Sequence, residues 1–180
     1  MDNVENPLAD KNDPAVLDGM LRHVGYEARR ATDFIRYGND GWCSELPPPL
    51  DNFAQQSALE AALTHFRNLV YFLKPERPKS DQVGARDCLR DWAIPLPDGV
   101  SVDAIHSRLA HIGLDRLDAS TKDPFQWNIW LKSVGPKILR HFLIFAEALR
   151  SDSPARLHLL EATDGQYSKS LIRYIEETVN

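Results

Sequence analysis

Apolar residues recur every three or four positions along most of this chain, the spacing that lines one face of an α-helix. After Asp13-Pro14, an N-cap followed by proline at the first helical position, the residues Leu17, Met20, Leu21, Val24, Ala28, Ala31 and Ile35 keep that rhythm. They predict a long helix to about Tyr37. Leu59, Ala62, Leu63, Phe66, Leu69, Val70 and Leu73 do the same for a second helix, capped by Asp51 or Asn52. Between the two lies GNDGWCSELPPPLDN, in which glycines and the prolines Pro47 to Pro49 forbid helix and favour extended backbone. The expectation is a loop crossing one end of a bundle, with a proline-rich ligand for a partner as the alternative.

Further along, KPERPKS ends the second helix, and a shorter one is expected from Ser80 or Asp81 to Trp92, closed by IPLPDG. Ser101 caps SVDAIHSRLAHIG, whose Val102, Ile105, Leu109 and Ile112 share a face and whose end is marked by Gly113. Asp123-Pro124 opens a long helix with an expected kink at Gly135-Pro136. Ser153-Pro154 opens another, and Ser168 to Val179 reads as the last. No segment alternates as a strand. The pattern predicts an all-α helical bundle with additional C-terminal helices, preceded by a flexible lead over residues 1–13 and folded as one domain over 14–180.

Composition narrows the function classes. Hydrophobic residues at 43% and charged residues at 26% are globular values, so a packed core rather than disorder is expected. The formal charge of −5 argues against a protein whose main task is non-specific attraction to phosphate backbones. Cys43 and Cys88 are the two cysteines, without a CxxC pair, so reduced structural thiols are expected rather than a disulfide framework or a thiolate zinc site. The polar, acidic start lacks the pattern of a secretory signal and no apolar run reaches bilayer length. A cytoplasmic location without membrane attachment is the expectation.

The polar residues inside the helices carry the candidate chemistry. In LEAALTHFRNLVYFL, each residue turns about 100°, so His65 and Arg67 leave opposite flanks of the stripe centred on Phe66, and Asn68 points away from it. Tyr71 and Phe72 widen the apolar circumference, which marks a central helix and places Arg67 and Asn68 between neighbours. Buried guanidinium and amide groups need partners. An interhelical hydrogen-bond network is the reading that residue type favours for them. In AIHSRLAHIGLDRL, His111 stands near Ser107, Arg108, Asp115 and Arg116. Capping of a helix C-terminus by the imidazole explains this arrangement. The alternative is catalysis: a histidine moving a proton and an arginine, Arg67 or Arg108, clamping phosphate, for metal-free RNA cleavage with the 2′-hydroxyl as nucleophile.

Other chemistry is not indicated. His106 and His111 project in different directions, and no H-E-x-x-H pattern, phosphate-binding glycine loop or nucleophile elbow is present. Neither metal nor cofactor is expected. Trp127 and Trp130 share a side near Phe125 and offer rings for base stacking, although core packing is the commoner use of such side chains.

HFRNLVYFL, a proline-rich break, DQVGARDCL, IHSRLAHIGLDR and a tryptophan-opened helix follow one another over roughly residues 55–145. This succession resembles uncharacterised bacterial helical proteins similar to HEPN domains. The resemblance implies a four-helix bundle that often dimerises, and in many members a metal-free ribonuclease of toxin–antitoxin or phage-defence systems. The signature of the family it resembles is an arginine followed by a polar residue, with a histidine about four to six residues further along. Here Arg67-Asn68 has no histidine at that distance and His111 has Arg108 three residues before it, so the motif is either split between two helices or lost. The first expectation is therefore a non-catalytic, homodimeric helical module of a regulatory or defence-associated system, with His65, Arg67, Asn68 and His111 in a polar network and a protein partner. The second is a metal-independent HEPN-type endoribonuclease using His111, Arg67 and Arg108, with RNA a partner that the net charge does not favour.

Overall fold

The computed structural model describes residues 10–38, 47, 50–76, 79, 82–100, 102, 105, 126–161 and 170–180. Among them the chain is helical, without a strand. It forms α1 (Pro14–Tyr37), α2 (Leu50–Leu73), a single turn α3 (Ala85–Cys88), α4 (Gln126–Asp152), α5 (Pro154–Glu161) and α6 (Leu171–Val179). This is an all-α helical bundle.

The first helix starts and stops where its sequence signals place it. The Asp13 carboxylate accepts from the Ala15 N–H at 2.9 Å, satisfying one of the donors that a helix start leaves open. Leu17, Leu21, Val24, Ala28 and Ala31 are buried as their spacing requires. The second helix begins slightly earlier than expected, since the Leu50 N–H reaches the Pro47 carbonyl at 2.8 Å. Asp51 and Asn52 accordingly lie inside the helix rather than at its cap. Ala62, Leu63, Phe66, Leu69, Val70 and Leu73 form its buried face.

The segment expected to be helical from Ser80 or Asp81 to Trp92 is shortened to one turn. Gly84 and Leu89 both take extended backbone at its ends, and the chain leaving Leu89 carries Trp92 into the core. There the indole N–H donates to the Leu73 carbonyl at 2.9 Å, satisfying an open acceptor at the C-terminal end of α2. Of the next expected helix, Val102 and Ile105 are helical and buried. Its remainder lies outside the described residues. Helix α4 continues through Gly135 and Pro136, and the final helix starts after Ser170 rather than at Ser168. The expected opening of α4 at Asp123-Pro124 lies outside the described residues, as does the reading of the Trp127 and Trp130 side chains.

Helix α1 is the hub, packing against α2, α4, α5 and α6, while α4 closes the bundle over α2, α5 and α6. The α1–α2 pair is antiparallel: Glu27 on α1 meets His65 and Asn68 on α2, and Lys11 before α1 pairs with Asp87 after α2 at 3.7 Å. Two glycines permit close approaches between helices. A Cβ on Gly135 would stand 2.7 Å from Ile35 Cδ1 and 3.0 Å from Phe66 Cζ, and a Cβ on Gly25 would stand 2.1 Å from the Leu160 carbonyl oxygen. The second obstacle is backbone, which cannot rotate aside.

Gly25→Ala is therefore expected to lever α5 off α1 and to cost about 1–3 kcal/mol or more in thermal or urea denaturation. Gly19, where a Cβ would meet nothing within 4 Å, is the matched control. Gly19→Ala is expected to be neutral or to stabilise by up to about 1 kcal/mol through helix propensity. Equal effects of the two substitutions would contradict the close packing at Gly25.

Candidate functional site

Glu27 follows Val24 by three positions and precedes Ala31 by four, so the helical period places a carboxylate on the buried face of α1. It is 4% exposed. A carboxylate withdrawn from water needs charge-assisted donors to remain ionised, and three side chains supply them. His65 Nδ1 stands 2.6 Å from Oε2, Asn68 Nδ2 donates to Oε1 at 3.1 Å, and His23 Nε2 lies 3.1 Å from Oε1 one turn earlier on α1. Burial pushes the Glu27 carboxyl up, but the hydrogen bonds from His65 and Asn68, with the positive charge of His65 and His23 when protonated, outweigh it and hold the group below its ordinary range.

The cluster reaches the surface through its rings. With Nδ1 turned to Glu27, His65 directs Nε2 away from the carboxylate, and among the described residues no hydrogen bond engages that nitrogen. Tyr26 meets His65 edge-on at 5.9 Å. His23 lies 20° from parallel with Tyr26, the ring centres 6.4 Å apart. The Arg30 guanidinium sits over the Tyr26 ring at 5.3 Å and pairs with Asp33 at 3.5 Å.

Of the residues singled out in the sequence, the structure unites His65 and Asn68 and separates Arg67 from them. About 200° of helix turn lies between His65 and Arg67, and no hydrogen bond or ion pair joins Arg67 to the network among the described residues. The expected grouping of Arg67 with Asn68 is thus corrected: Asn68 turns to α1, and Arg67 leaves the opposite flank of α2. His111, Arg108, Ser107, Asp115 and Arg116 lie outside the described residues. Glu27 and His23 were not among the expected site residues. The signal was present in the sequence as a glutamate on the apolar stripe with a histidine four residues before it.

Other buried ionisable groups belong to packing. The Tyr174 hydroxyl donates to Asp33 Oδ1 at 2.9 Å between the guanidinium groups of Arg29 and Arg36, each 5.1 Å from the ring centre. Burial and the Asp33 carboxylate push its phenol well above the ordinary range. His141, edge-on to Trp92 at 5.4 Å, has its imidazole held below the ordinary range by burial. Burial pushes the Cys88 thiol up to about 12, so it is inert at neutral pH. Among the described residues no group of three or more His, Cys, Asp or Glu side chains is placed to hold a metal ion, and no helix is long and apolar enough to cross a membrane.

No protein-family model matches this chain, and neither a curated protein nor a solved structure does.

The Glu27 carboxyl titrates lower in the native chain than its ordinary 4.5, so its ionised form contributes stability above that value, and the contribution is lost as pH falls through the native pKa. Glu27→Gln is expected to destabilise the chain at pH 7 and progressively less as pH falls through the lowered native pKa of Glu27. Urea titrations across that range measure the gap. A gap that stays constant with pH would exclude an ionised Glu27 as its source.

Proposed function

We propose that the chain is a non-catalytic binding module of a bacterial regulatory or defence-associated system, HEPN-like in its fold, with the outer face of α1 and α2 as its working surface. The observation that carries this reading is the saturation of one buried carboxylate by His23, His65 and Asn68. Such a cluster fixes the rotation of α2 against α1, because donors three residues apart on α2 must both face the same carboxylate. A locked helix pair presents its outer side chains in one arrangement, and a preorganised surface loses less entropy when a partner docks.

A second reading, a metal-independent endoribonuclease, is favoured by one specific feature. A carboxylate bound to one imidazole nitrogen fixes the ring and leaves the other nitrogen available to move a proton, which is the relation of Glu27 to His65. The proton carrier is then His65, joined to a carboxylate, in place of His111 with Arg67 and Arg108. The guanidinium beside the cluster, Arg30, sits over the Tyr26 ring and pairs with Asp33, which ranks this reading second.

Incubation of the purified chain with a mixed RNA pool in EDTA separates the readings. The binding module leaves the RNA intact, and His65→Gln lowers the melting temperature. Cleavage by wild type that disappears in His65→Gln at matched purity would overturn the non-catalytic reading in favour of the nuclease.

A further inference from the structure

Two large rings stand out of the bundle beside the Glu27 seam. Tyr26 is 42% and Tyr71 39% exposed, and each carries a cation over its face, Arg30 at 5.3 Å and Lys74 at 5.0 Å. The antiparallel register brings them to one side of the molecule. By the helical period Tyr71 lies one turn beyond both Arg67 and Asn68 on the solvent side of α2, and the antiparallel register brings it level with His23, one turn before Glu27 on α1. His23, near-parallel to Tyr26, extends the aromatic surface along α1.

The charge of this face departs from that of the chain. Arg22 and Lys74 stand on or beside it together with the mutually paired Arg30 and Asp33, against the carboxylate of Glu60, which leaves a small excess of cations. The whole chain carries −5. Exposed rings interleaved with cations suit a ligand that alternates flat π-faces with anions. An unpaired nucleic-acid strand has that chemistry: its bases stack on aromatic side chains and its phosphates meet the cations. A duplex hides its base faces, and an acidic peptide makes no use of the rings.

We propose that the outer face of the α1–α2 pair binds an unpaired nucleic-acid strand, bases stacking at Tyr26 and Tyr71 and flanking phosphates meeting Arg30 and Lys74. The inference supplies a partner for the binding surface proposed above and rests on that reading. Because few cations take part, stacking dominates, and the dependence of log affinity on log salt has a slope of about −2 or shallower.

Fluorescence anisotropy on the full chain tests this with short labelled RNA and DNA strands, the same sequences as duplexes, and an acidic peptide of matched charge. The expected result is binding of the strands in preference to the duplexes and the peptide, weakened roughly tenfold by Tyr26→Ala and by Tyr71→Ala. Ile144→Ala, at an exposed site on α4, leaves it unchanged. Tyr26→Leu and Tyr71→Leu keep apolar bulk without a stacking ring and are expected to reproduce the loss at an unaltered melting temperature. Preference for RNA over DNA, or equal binding of the two, both support the proposal, the first adding a contact to the 2′-hydroxyl. Equal binding of duplex, binding of the peptide alone, tyrosine variants that bind like wild type, or no strand binding at all would overturn it. If the strand fails to bind while Glu27→Gln still destabilises the chain and no RNA is cleaved, the strand proposal falls and the locked-module reading stands.

Discussion

A carboxylate taken out of water between two helices requires donors that arrive from fixed directions, and Glu27 imposes that requirement on the α1–α2 pair. His65 and Asn68 meet it from α2 and His23 from α1. Because His65 and Asn68 are held against α1, the rotation of α2 is fixed too, and Phe66, Leu69 and Leu73 are turned into the core, where all three are fully buried. Phe66 then reaches the Gly135 backbone, where α4 passes close to both α1 and α2. Polar specificity on one side of α2 and apolar burial on the other select the same rotation, the kind of agreement between levels that defines a single native packing.

The remaining polar contacts act at the edges of this arrangement. Tyr174 holds α6 to α1 through Asp33 and between Arg29 and Arg36, so the C-terminal helix docks by a ring between two guanidinium groups as well as by Leu171 and Ile175 in the core. Trp92 closes the end of α2 by donating to Leu73 and packs edge-on against Phe145 at 5.5 Å. Helix α1 carries buried polar groups toward more than one neighbour, Glu27 toward α2 and Arg29 toward α6, while the Thr32 hydroxyl returns to the Ala28 carbonyl of its own helix at 2.7 Å. A hub helix with neighbours on several sides has few positions that point only to solvent. The exposed stripe through Arg22, Tyr26 and Arg30 is what remains.

The helices themselves were legible in the sequence because proline, caps and apolar spacing act locally. Asp13-Pro14 and Ser153-Pro154 mark starts that the structure keeps, and the stripe from Leu59 to Leu73 is the buried face of α2. The turn at Ala85–Cys88 was overestimated, since the apolar pattern up to Trp92 is also what a chain shows when it leaves a helix to insert a tryptophan into the core. The site was legible in half. His65 and Asn68 were conspicuous as polar residues in an apolar helix, but the partner that gives them meaning, Glu27, sits thirty-eight and forty-one residues away in sequence. Periodicity places a residue on a face and does not say which helix that face meets. The same limit explains Arg67, adjacent to Asn68 in sequence and on the other flank of α2 in space.

The fixed pairing of α1 and α2 depends on Glu27 and His65 acting as one unit, and a double-mutant cycle with Glu27→Leu and His65→Leu measures this directly. Each single substitution leaves a buried polar group without its partner, whereas the double substitution removes both. The prediction is that the double variant loses less stability than the two singles together, with a coupling of about 1 kcal/mol or more. Strictly additive losses would show that the carboxylate and the imidazole are neighbours without being partners, and the locked helix pair would lose its basis.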